Sequence, residues 1–266
     1  SIASSEIVSN LKTLTGNNAY LITIGTSDST VKASDLNMIN DLTTATVNAS
    51  VVKSIAPDTA SNIKTLLTAG NDTSQFTETS FANLTSVSVF NATEYLESNA
   101  DLKEFFGSDL EAATTHYVNN GRSEGRTDGT KDVSDLNAII ASANTATGGT
   151  STVLELSLSS TINSGNETEF NTLLTHEANG QINITSQNLT VDSGTISVSS
   201  ANLLDATTAG TVTATIATDS LVDSLATLTG TNAYTIVIAK EDATGSTASE
   251  LTAIDNATTV LVDATA

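Results

Sequence analysis

Apolar residues recur along this chain in two patterns, one helical and one extended. Near the start, three apolar residues fall at positions i, i+4 and i+7, which places them on one face of a helix. A second set occupies every other position, as in a strand with one face turned inward. These residues are Ile7, Leu11 and Leu14 for the helix, Gly16 as its stop signal, and Tyr20, Ile22 and Ile24 for the strand. The pattern predicts a short helix followed by a short strand.

The same pattern returns near the other end of the chain. Residues 2–24 match residues 216–238 at 13 of 23 positions without a gap, and residues 31–50 resemble residues 246–265. The second copy carries the helix and strand positions at Leu221, Leu225, Leu228, Gly230, Tyr234, Ile236 and Ile238. Segments related in this way are expected to fold alike.

Other helix–strand units fit between these copies, and their starts carry side chains that cap helices. The predicted caps are Ser34, Asp58 directly after Pro57, and Asn166 with Glu169 in a capping box. Gly180 is expected to close the third of these helices. The resemblance of 200–215 to 249–265 gives a larger period of about 50 residues, which holds two coils of roughly 25 residues each.

A coil of that size cannot bury its apolar face without a neighbour. Strands joined through a helix are expected to run parallel. We therefore predict an α/β solenoid of short helix–strand coils, with a parallel sheet on one face and a small helical insertion. The expected segments are 1–90 for solenoid coils, 91–130 for the insertion and 131–266 for coils that continue the same stack.

The predicted insertion stands out within residues 94–126, which hold both arginines and two of the four tyrosines. Its helical positions are Leu96, Leu102, Phe105, Phe106, Leu110, Ala113 and Tyr117, which predict two short helices joined near Gly107. The candidate interaction residues are Tyr95, His116, Tyr117, Arg122 and Arg126. The arginines could bind an anionic partner or pair with local carboxylates, and His116 could pack the insertion.

Composition narrows the classes of partner. The chain has 9 basic and 30 acidic residues, a formal net charge of −21. Phosphate binding needs clustered Lys and Arg, so nucleic acid is not expected as a partner.

The chain has no Cys, which excludes disulfides and thiolate metal sites. No apolar run approaches the roughly 18 residues of a membrane span, so none is predicted. Aromatic residues make up 4% of the chain, which favours a thin core of stacked aliphatic side chains.

One loop carries a candidate metal site. Asp128, Asp132 and Asp135 surround Gly129 before a predicted helix, and carboxylates in such a loop could bind Ca²⁺. The spacing does not match an EF-hand, and Lys131 lies among the candidate ligands. The alternative is that Ser134 or Asp135 caps the helix. Calcium is thus possible but not required, and no other cofactor is indicated.

Catalytic residues are not indicated. His116 and His176 are the two histidines, and the chain contains neither a G-x-S-x-G elbow nor a glycine-rich phosphate loop. His116 is expected to pack the insertion. His176 is expected near a helix C-terminus, where the helix dipole favours a cation. We expect that the protein is not an enzyme.

The insertion carries a family resemblance. The residues that carry it are Tyr95-Leu96, Ser98-Asn99, Asp101-Leu102, Phe106-Gly107, Asp109, Ala112-Ala113, His116-Tyr117, Gly121 and Glu124-Gly125-Arg126. They resemble a short helical repeat of large secreted bacterial proteins, including haemolysin-type, calcium-associated and surface-layer-like proteins. The flanking segments look like repeats of giant cell-surface proteins of cyanobacteria and other bacteria. The resemblance implies secretion, surface display and often calcium dependence. The glycine–aspartate nonapeptides of haemolysin-type calcium repeats are absent from the sequence.

These observations lead to two expectations about function. The first is a structural extracellular protein, a segment of a surface layer, sheath or filament that self-associates through its solenoid ends or faces. The alternative is an adhesin-type binding module whose insertion at 94–126 recognises a ligand or a partner protein.

Overall fold

The computed structural model describes residues 2–3, 11, 18–149, 152–156, 160–218, 221–239 and 245–264. Short parallel strands alternate with helices over these residues, so the protein belongs to the α/β class. Leu11 is helical and buried, as predicted, whereas Ile7, Leu14 and Gly16 lie outside the described residues.

The chain divides into two compact units. The first unit comprises Ser1–Asp128, Asp135–Ser157 and Ala178–Asn183, and the second comprises Gly129–Ser134, Leu158–Glu177 and Ile184–Ala266. The segment predicted as an insertion groups with the first unit up to Asp128, whereas Gly129 and Thr130 belong to the second.

The first unit contains two parallel sheets, with strands numbered in chain order. One sheet has the order β1-β2-β4, from β1 (Ile2–Ala3), β2 (Ile22–Thr23) and β4 (Val47–Asn48). The other has the order β3-β5-β6-β8, from β3 (Thr30–Lys32), β5 (Ser54–Asp58), β6 (Ser86–Val89) and β8 (Val153–Glu155). The helices that start in this unit are α1 (Ala33–Asp41), α2 (Ala60–Gly70), α3 (Ala92–Ser98), α4 (Ala100–Phe106) and α5 (Leu110–His116), with a π-helix at Tyr117–Gly121.

The second unit contains one parallel sheet in the order β12-β11-β10-β9-β7. Its strands are β7 (Thr130–Asp132), β9 (Thr161–Gly165), β10 (Asn188–Val191), β11 (Val212–Thr215) and β12 (Ala233–Thr235). The remaining helices are α6 (Val133–Thr147), which begins in this unit, α7 (Glu167–Ala178), α8 (Val198–Thr207), α9 (Val222–Leu225) and α10 (Ala248–Asn256).

Aliphatic side chains stack in register across the sheets. In the first unit Val31 is paired with Ile55, Ile55 with Val87, and Val87 with Leu154. All four are buried. The second unit repeats this arrangement with Ile162, Leu189 and Val212. Burial of one such side chain contributes about 1.5–3 kcal/mol. The core is thus built from stacked aliphatic layers, which agrees with the low aromatic content.

The two copies of the repeated segment make the same backbone hydrogen bonds. The Thr44 N–H donates to the Asn18 oxygen at 3.0 Å in the first copy, and the Thr259 N–H donates to the Asn232 oxygen at 2.8 Å in the second. Likewise, the Ile24 N–H donates to the Asn48 oxygen at 2.8 Å, and the Ile238 N–H donates to the Asp263 oxygen at 2.7 Å. In both copies the alternating strand positions are buried, as Ile22 and Ile24 show in the first and Ile236 and Ile238 in the second. The described residues of the two copies therefore share these hydrogen bonds and buried positions.

Three buried threonines make a second recurring contact, which joins a side chain to the backbone. The hydroxyls of Thr43, Thr208 and Thr258 donate to the backbone oxygens of Tyr20, Gln187 and Tyr234, at 2.7, 2.6 and 2.6 Å. Each hydroxyl also accepts from the backbone N–H two residues further on. These threonine contacts were not predicted. Their signal is a Thr four positions before Val47, Val212 and Val262.

The helix starts confirm one predicted cap and correct two. Asn166 accepts from the backbone of Thr168 and Glu169, while the Glu169 carboxylate accepts from the Asn166 N–H, which is the predicted capping box. Gly180 follows α7 with a φ of 70°, as expected for a helix stop.

The residue that caps α2 is Thr59 rather than Asp58, because the Thr59 hydroxyl accepts from the Asn62 N–H. Ser34 does not cap α1 with its side chain. Its backbone N–H instead donates to the Asp58 carboxylate, 24 residues away, at 2.7 Å. The prediction was wrong at both positions because the sequence does not reveal this long-range partner.

The insertion has more helices than expected. Three short α-helices and the π-helix replace the two predicted helices, since the chain also breaks at Asn99 between α3 and α4. The predicted break at Gly107 is confirmed, with a φ of 61°. Phe105 and Leu110, two of the residues that indicated these helices, are 81% and 45% exposed.

We predict that Gly210→Ala destabilises the protein. A Cβ at this position would lie 2.2 Å from the backbone oxygen of Gln187, which belongs to the neighbouring strand segment and cannot move freely. The expected loss is about 1–3 kcal/mol in the free energy of unfolding, measured by chemical denaturation. Gly245→Ala is the control, because nothing lies within 4 Å of its Cβ. Equal stability of the two variants would contradict this packing.

The contact of Glu167 with Ser197 predicts a pH-dependent stability. The carboxylate accepts from the Ser197 N–H and hydroxyl, at 3.1 and 2.7 Å. Hydrogen bonds from the hydroxyls of Ser200 and Ser197 hold the pKa of Glu167 below its ordinary value of 4.5. This stabilisation is therefore present above that value and is lost as pH falls through the lower folded-state pKa.

Thermal melting at pH 7 and pH 3 checks this expectation. Glu167→Gln should lower the melting temperature at pH 7, and the difference from the parent should shrink at pH 3. Glu104→Gln changes an exposed carboxyl and serves as the control. A difference that is the same at both pH values would contradict the role of the ionised carboxylate.

Candidate functional site

The helical insertion is built around an aromatic cluster. Phe90, at the end of β6, stacks on Tyr117 with ring centroids 4.0 Å apart and lies 5.3 Å from the ring of Tyr95. Leu96, Leu102 and Ala113 complete this buried cluster. Two of the five candidate interaction residues, Tyr95 and Tyr117, are thus fully buried core residues.

Tyr95 and His116 share a hydrogen bond of 2.9 Å between Oη and Nδ1. The His116 ring also packs edge-on against Phe106. These contacts agree with the expectation that His116 packs the insertion. Burial raises the pKa of Tyr95 to about 12, and burial also raises the pKa of Tyr117 to about 12. Both phenols therefore stay protonated near neutral pH.

Arg126 pairs with carboxylates inside the insertion. Its guanidinium donates two parallel hydrogen bonds to Asp101, at 2.9 and 2.8 Å, and a third to Glu124. The hydrogen bond with Arg126 lowers the pKa of the Asp101 carboxyl, and the same contact raises the pKa of Arg126. The Asp101 side chain is largely exposed, so this pair fixes geometry more than it adds stability.

Arg122 faces the first unit's larger sheet. It donates to Glu155 Oε2 at 2.9 Å and to Ser88 Oγ at 2.5 Å. Its guanidinium also lies 5.2 Å from the centre of the Tyr117 ring, within the range of a cation–π contact. Arg122 thereby ties the π-helix to β6 and β8. The sequence left open whether the arginines bind an anionic partner or pair with local carboxylates. The contacts of both arginines support the pairing with local carboxylates.

Two further residues of the helical motif, Asn99 and Asp109, also have structural roles. Asn99 donates to the backbone oxygens of Tyr95 and Thr127, at 2.7 and 2.9 Å, which holds both ends of the insertion. Asp109 caps α5 through the N–H groups of Glu111 and Ala112. An Asp before a helix is the sequence signal for the Asp109 cap. The contacts of Asn99 carry no such signal, because its amide donates to backbone oxygens and does not cap α4.

The three calcium candidates make separate contacts. Asp128 is fully buried and accepts from the Asn91 N–H at 2.9 Å. Asp132 caps the first turn of α6, accepting from the N–H and hydroxyl of Ser134 at 2.8 and 2.7 Å. Asp135 forms an ion pair with Lys64. The capping residue is therefore Asp132, and not Ser134 or Asp135 as predicted.

Among the described residues, no group of three His, Cys, Asp or Glu side chains is arranged to hold a metal ion. Calcium binding at Asp128, Asp132 and Asp135 thus remains a prediction from the sequence. His176 lies in the last turn of α7, which is where the sequence placed it. No helix in the described part of the chain is long and apolar enough to cross a membrane.

A shallow groove lies where the insertion meets the carboxyl ends of three strands. Its volume is about 270 Å³. Lys32 and Pro57 line it from β3 and β5, Phe90 follows β6, and Leu110 and Thr114 line it from α5. The carboxyl ends of parallel strands are a common place for ligands in α/β proteins.

We predict that Gly121→Ala disrupts the insertion. An added Cβ would lie 2.1 Å from the Tyr95 oxygen, which is buried and hydrogen-bonded to His116. The expected loss is roughly 1–3 kcal/mol in unfolding free energy. Tyr95→Phe removes the clashing oxygen, so the double variant should be less destabilised than the sum of the two single changes. Additive losses in chemical denaturation would contradict the contact.

The chain matches no family model, no curated protein and no solved structure. The resemblance to secreted bacterial surface proteins therefore stays a prediction from the motif residues.

Proposed function

We propose that the protein is a structural extracellular protein, a segment of a surface layer, sheath or filament built as an α/β solenoid. The observation that carries this proposal is the repeated hydrogen-bond set. Two segments 214–215 residues apart make the same backbone bonds, and the threonine contact occurs in both and once more at Thr208. A chain that repeats one packing unit is suited to a scaffold.

The contacts of the helical motif support a structural role. Tyr95 and Tyr117 form the centre of the insertion, and Arg122 and Arg126 bind carboxylates of the same chain. Their hydrogen-bonding groups thus hold elements of this protein together. This use of the motif favours a scaffold over a catalyst.

The net charge of −21 favours assembly in salty surroundings. Identical chains of this charge repel one another. In 0.1 M salt, the repulsion between exposed charges more than roughly 10 Å apart is largely screened. Diffuse binding of divalent cations would also reduce the repulsion between chains. We therefore expect self-association to strengthen as ionic strength rises.

Sedimentation velocity with electron microscopy tests this proposal. Between 10 mM and 500 mM NaCl, and with added CaCl₂, the average mass should rise from the 27.2 kDa of one chain, and ordered filaments or sheets should appear. Samples with chelator separate a specific calcium effect from simple screening. Dispersed single chains under every condition would contradict the proposal. Antibody labelling of intact source cells tests the extracellular location.

The groove beside α5 favours the adhesin-type alternative as a second candidate. Its lining combines apolar side chains with Lys32 and Thr114 on a surface that faces solvent. The ends of the insertion lie next to each other, since Asn91 donates to Asp128. Residues 92–127 can therefore be deleted without a long gap. Loss of ligand binding with intact assembly would favour an adhesin, whereas loss of assembly without an identifiable ligand would favour the scaffold.

A further inference from the structure

A second groove lies on the surface of the helical insertion, with a volume of about 400 Å³. It differs from the groove at the strand ends, although Glu111 borders both. We define the insertion groove by the lining residues Phe106, Asp109, Glu111, Ala112, His116 and Asn119. All of them come from one short stretch of the chain, so the insertion alone forms this groove.

Aromatic rings form the apolar side of the insertion groove. The His116 ring lies edge-on to Phe106, with centroids 5.6 Å apart, and its Nδ1 shares a hydrogen bond of 2.9 Å with Tyr95 Oη. Because Tyr95 is fully buried, this bond fixes the His116 ring before a ligand arrives. Phe105 extends the surface: its ring is 4.9 Å from that of Phe106, and it is 81% exposed. Aromatic rings attract both apolar groups and cations.

Two carboxylates lie on the polar side of the insertion groove. Asp109 accepts from the N–H groups of Glu111 and Ala112, at 3.1 and 3.0 Å, which fixes the position of its carboxylate at the start of α5. Glu111 follows in the first turn and is exposed. No basic side chain in the described part of the chain forms an ion pair with either carboxylate. The groove therefore carries negative charge that no neighbouring cation offsets.

The basic residues of the insertion are committed to other carboxylates. Lys103 pairs with Glu97, Arg122 with Glu155, and Arg126 with Asp101 and Glu124. The groove at the strand ends, in contrast, contains Lys32 among its lining residues. The one-sided charge is thus a property of the insertion groove.

This charge selects the kind of ligand. The two carboxylates repel an anion, and a second copy of this chain carries the same net charge of −21 and is repelled as a whole. A lysine side chain combines an apolar stem with a compact ammonium group. That combination complements a groove with aromatic rings on one side and carboxylates on the other.

We propose that the insertion groove binds a basic peptide segment. A lysine ammonium group lies at Asp109 and Glu111, and a neighbouring apolar side chain lies against Phe105 and Phe106. This inference rests on the adhesin-type candidate and names the class of its ligand, on a surface other than the groove at the strand ends. The scaffold proposal does not depend on it.

Two variants and one control test the groove. Asp109→Asn with Glu111→Gln removes both charges, and Asn keeps the helix cap. Phe105→Ala removes an exposed ring that is not part of the buried cluster. The control is Glu78→Gln with Asp255→Asn, which removes two exposed carboxylates elsewhere and changes the net charge equally. Thermal melting followed by circular dichroism checks that each variant folds.

NMR titration with the peptide acetyl-Lys-Leu-Lys-amide in 50 mM NaCl gives the result. In the parent chain the amide signals of Ala112, Thr115 and Asn119 should shift on binding. The double variant should bind about tenfold more weakly, the effect of losing one charge-assisted hydrogen bond. Phe105→Ala should weaken binding by about threefold, as expected for an exposed cation–π or apolar contact. The control should bind like the parent, and the uncharged analogue with norleucine in place of lysine should not bind.

The outcomes separate this inference from the functions proposed above. If the double variant and the control bind equally well, the peptide is held by general charge attraction and the groove assignment is wrong. If the norleucine analogue binds as tightly as the lysine peptide, the proposed role of the carboxylates is wrong. If the parent does not bind the peptide, the ligand class is wrong, whereas the scaffold function is still decided by assembly in salt and the adhesin candidate by deletion of residues 92–127.

Discussion

The lateral pairing of very short parallel strands is the constraint on which the rest of the structure depends. Strands of two to five residues, such as β4 and β5, cannot bury their apolar side chains without neighbours. The aliphatic layers, the close approach at Gly210 and the threonine contacts all serve to bring successive segments together. Stability therefore lies between neighbouring strand segments rather than within any one of them.

The insertion is stabilised in a different way, by contacts that are mostly internal. Its buried aromatic rings and the Arg126–Asp101 pair join short helices that are close in sequence. Arg122 and Phe90 then attach it to the sheet through Ser88, Glu155 and the end of β6. This difference explains why the chain's two arginines and half of its tyrosines fall in one segment: a small module needs larger, more specific side chains than a stacked layer does.

The sequence predicted what depends on local order and missed what depends on distant partners. Periodicity indicated the α/β class, the parallel strands, the likeness of the two copies and the capping box at Asn166, because each is written in adjacent residues. It could not reveal that the Asp58 carboxylate accepts from the Ser34 N–H at the start of α1, or that Asn99, at the break between α3 and α4, donates to the Thr127 oxygen. For the candidate site, the motif singled out Tyr95, Tyr117, Arg122 and Arg126, but their buried or paired positions depend on the fold.

Hydrogen–deuterium exchange tests the dependence of each short strand on its neighbours most directly, because it reports on the strand backbone itself. Peptides that contain β10 and β11 are compared in the parent chain and in the Gly210→Ala variant, whose added Cβ would lie 2.2 Å from the Gln187 oxygen. The account predicts faster exchange in both strands of the variant, with little change in β3 and β5 of the first unit. Unchanged exchange in β10 and β11 would contradict it.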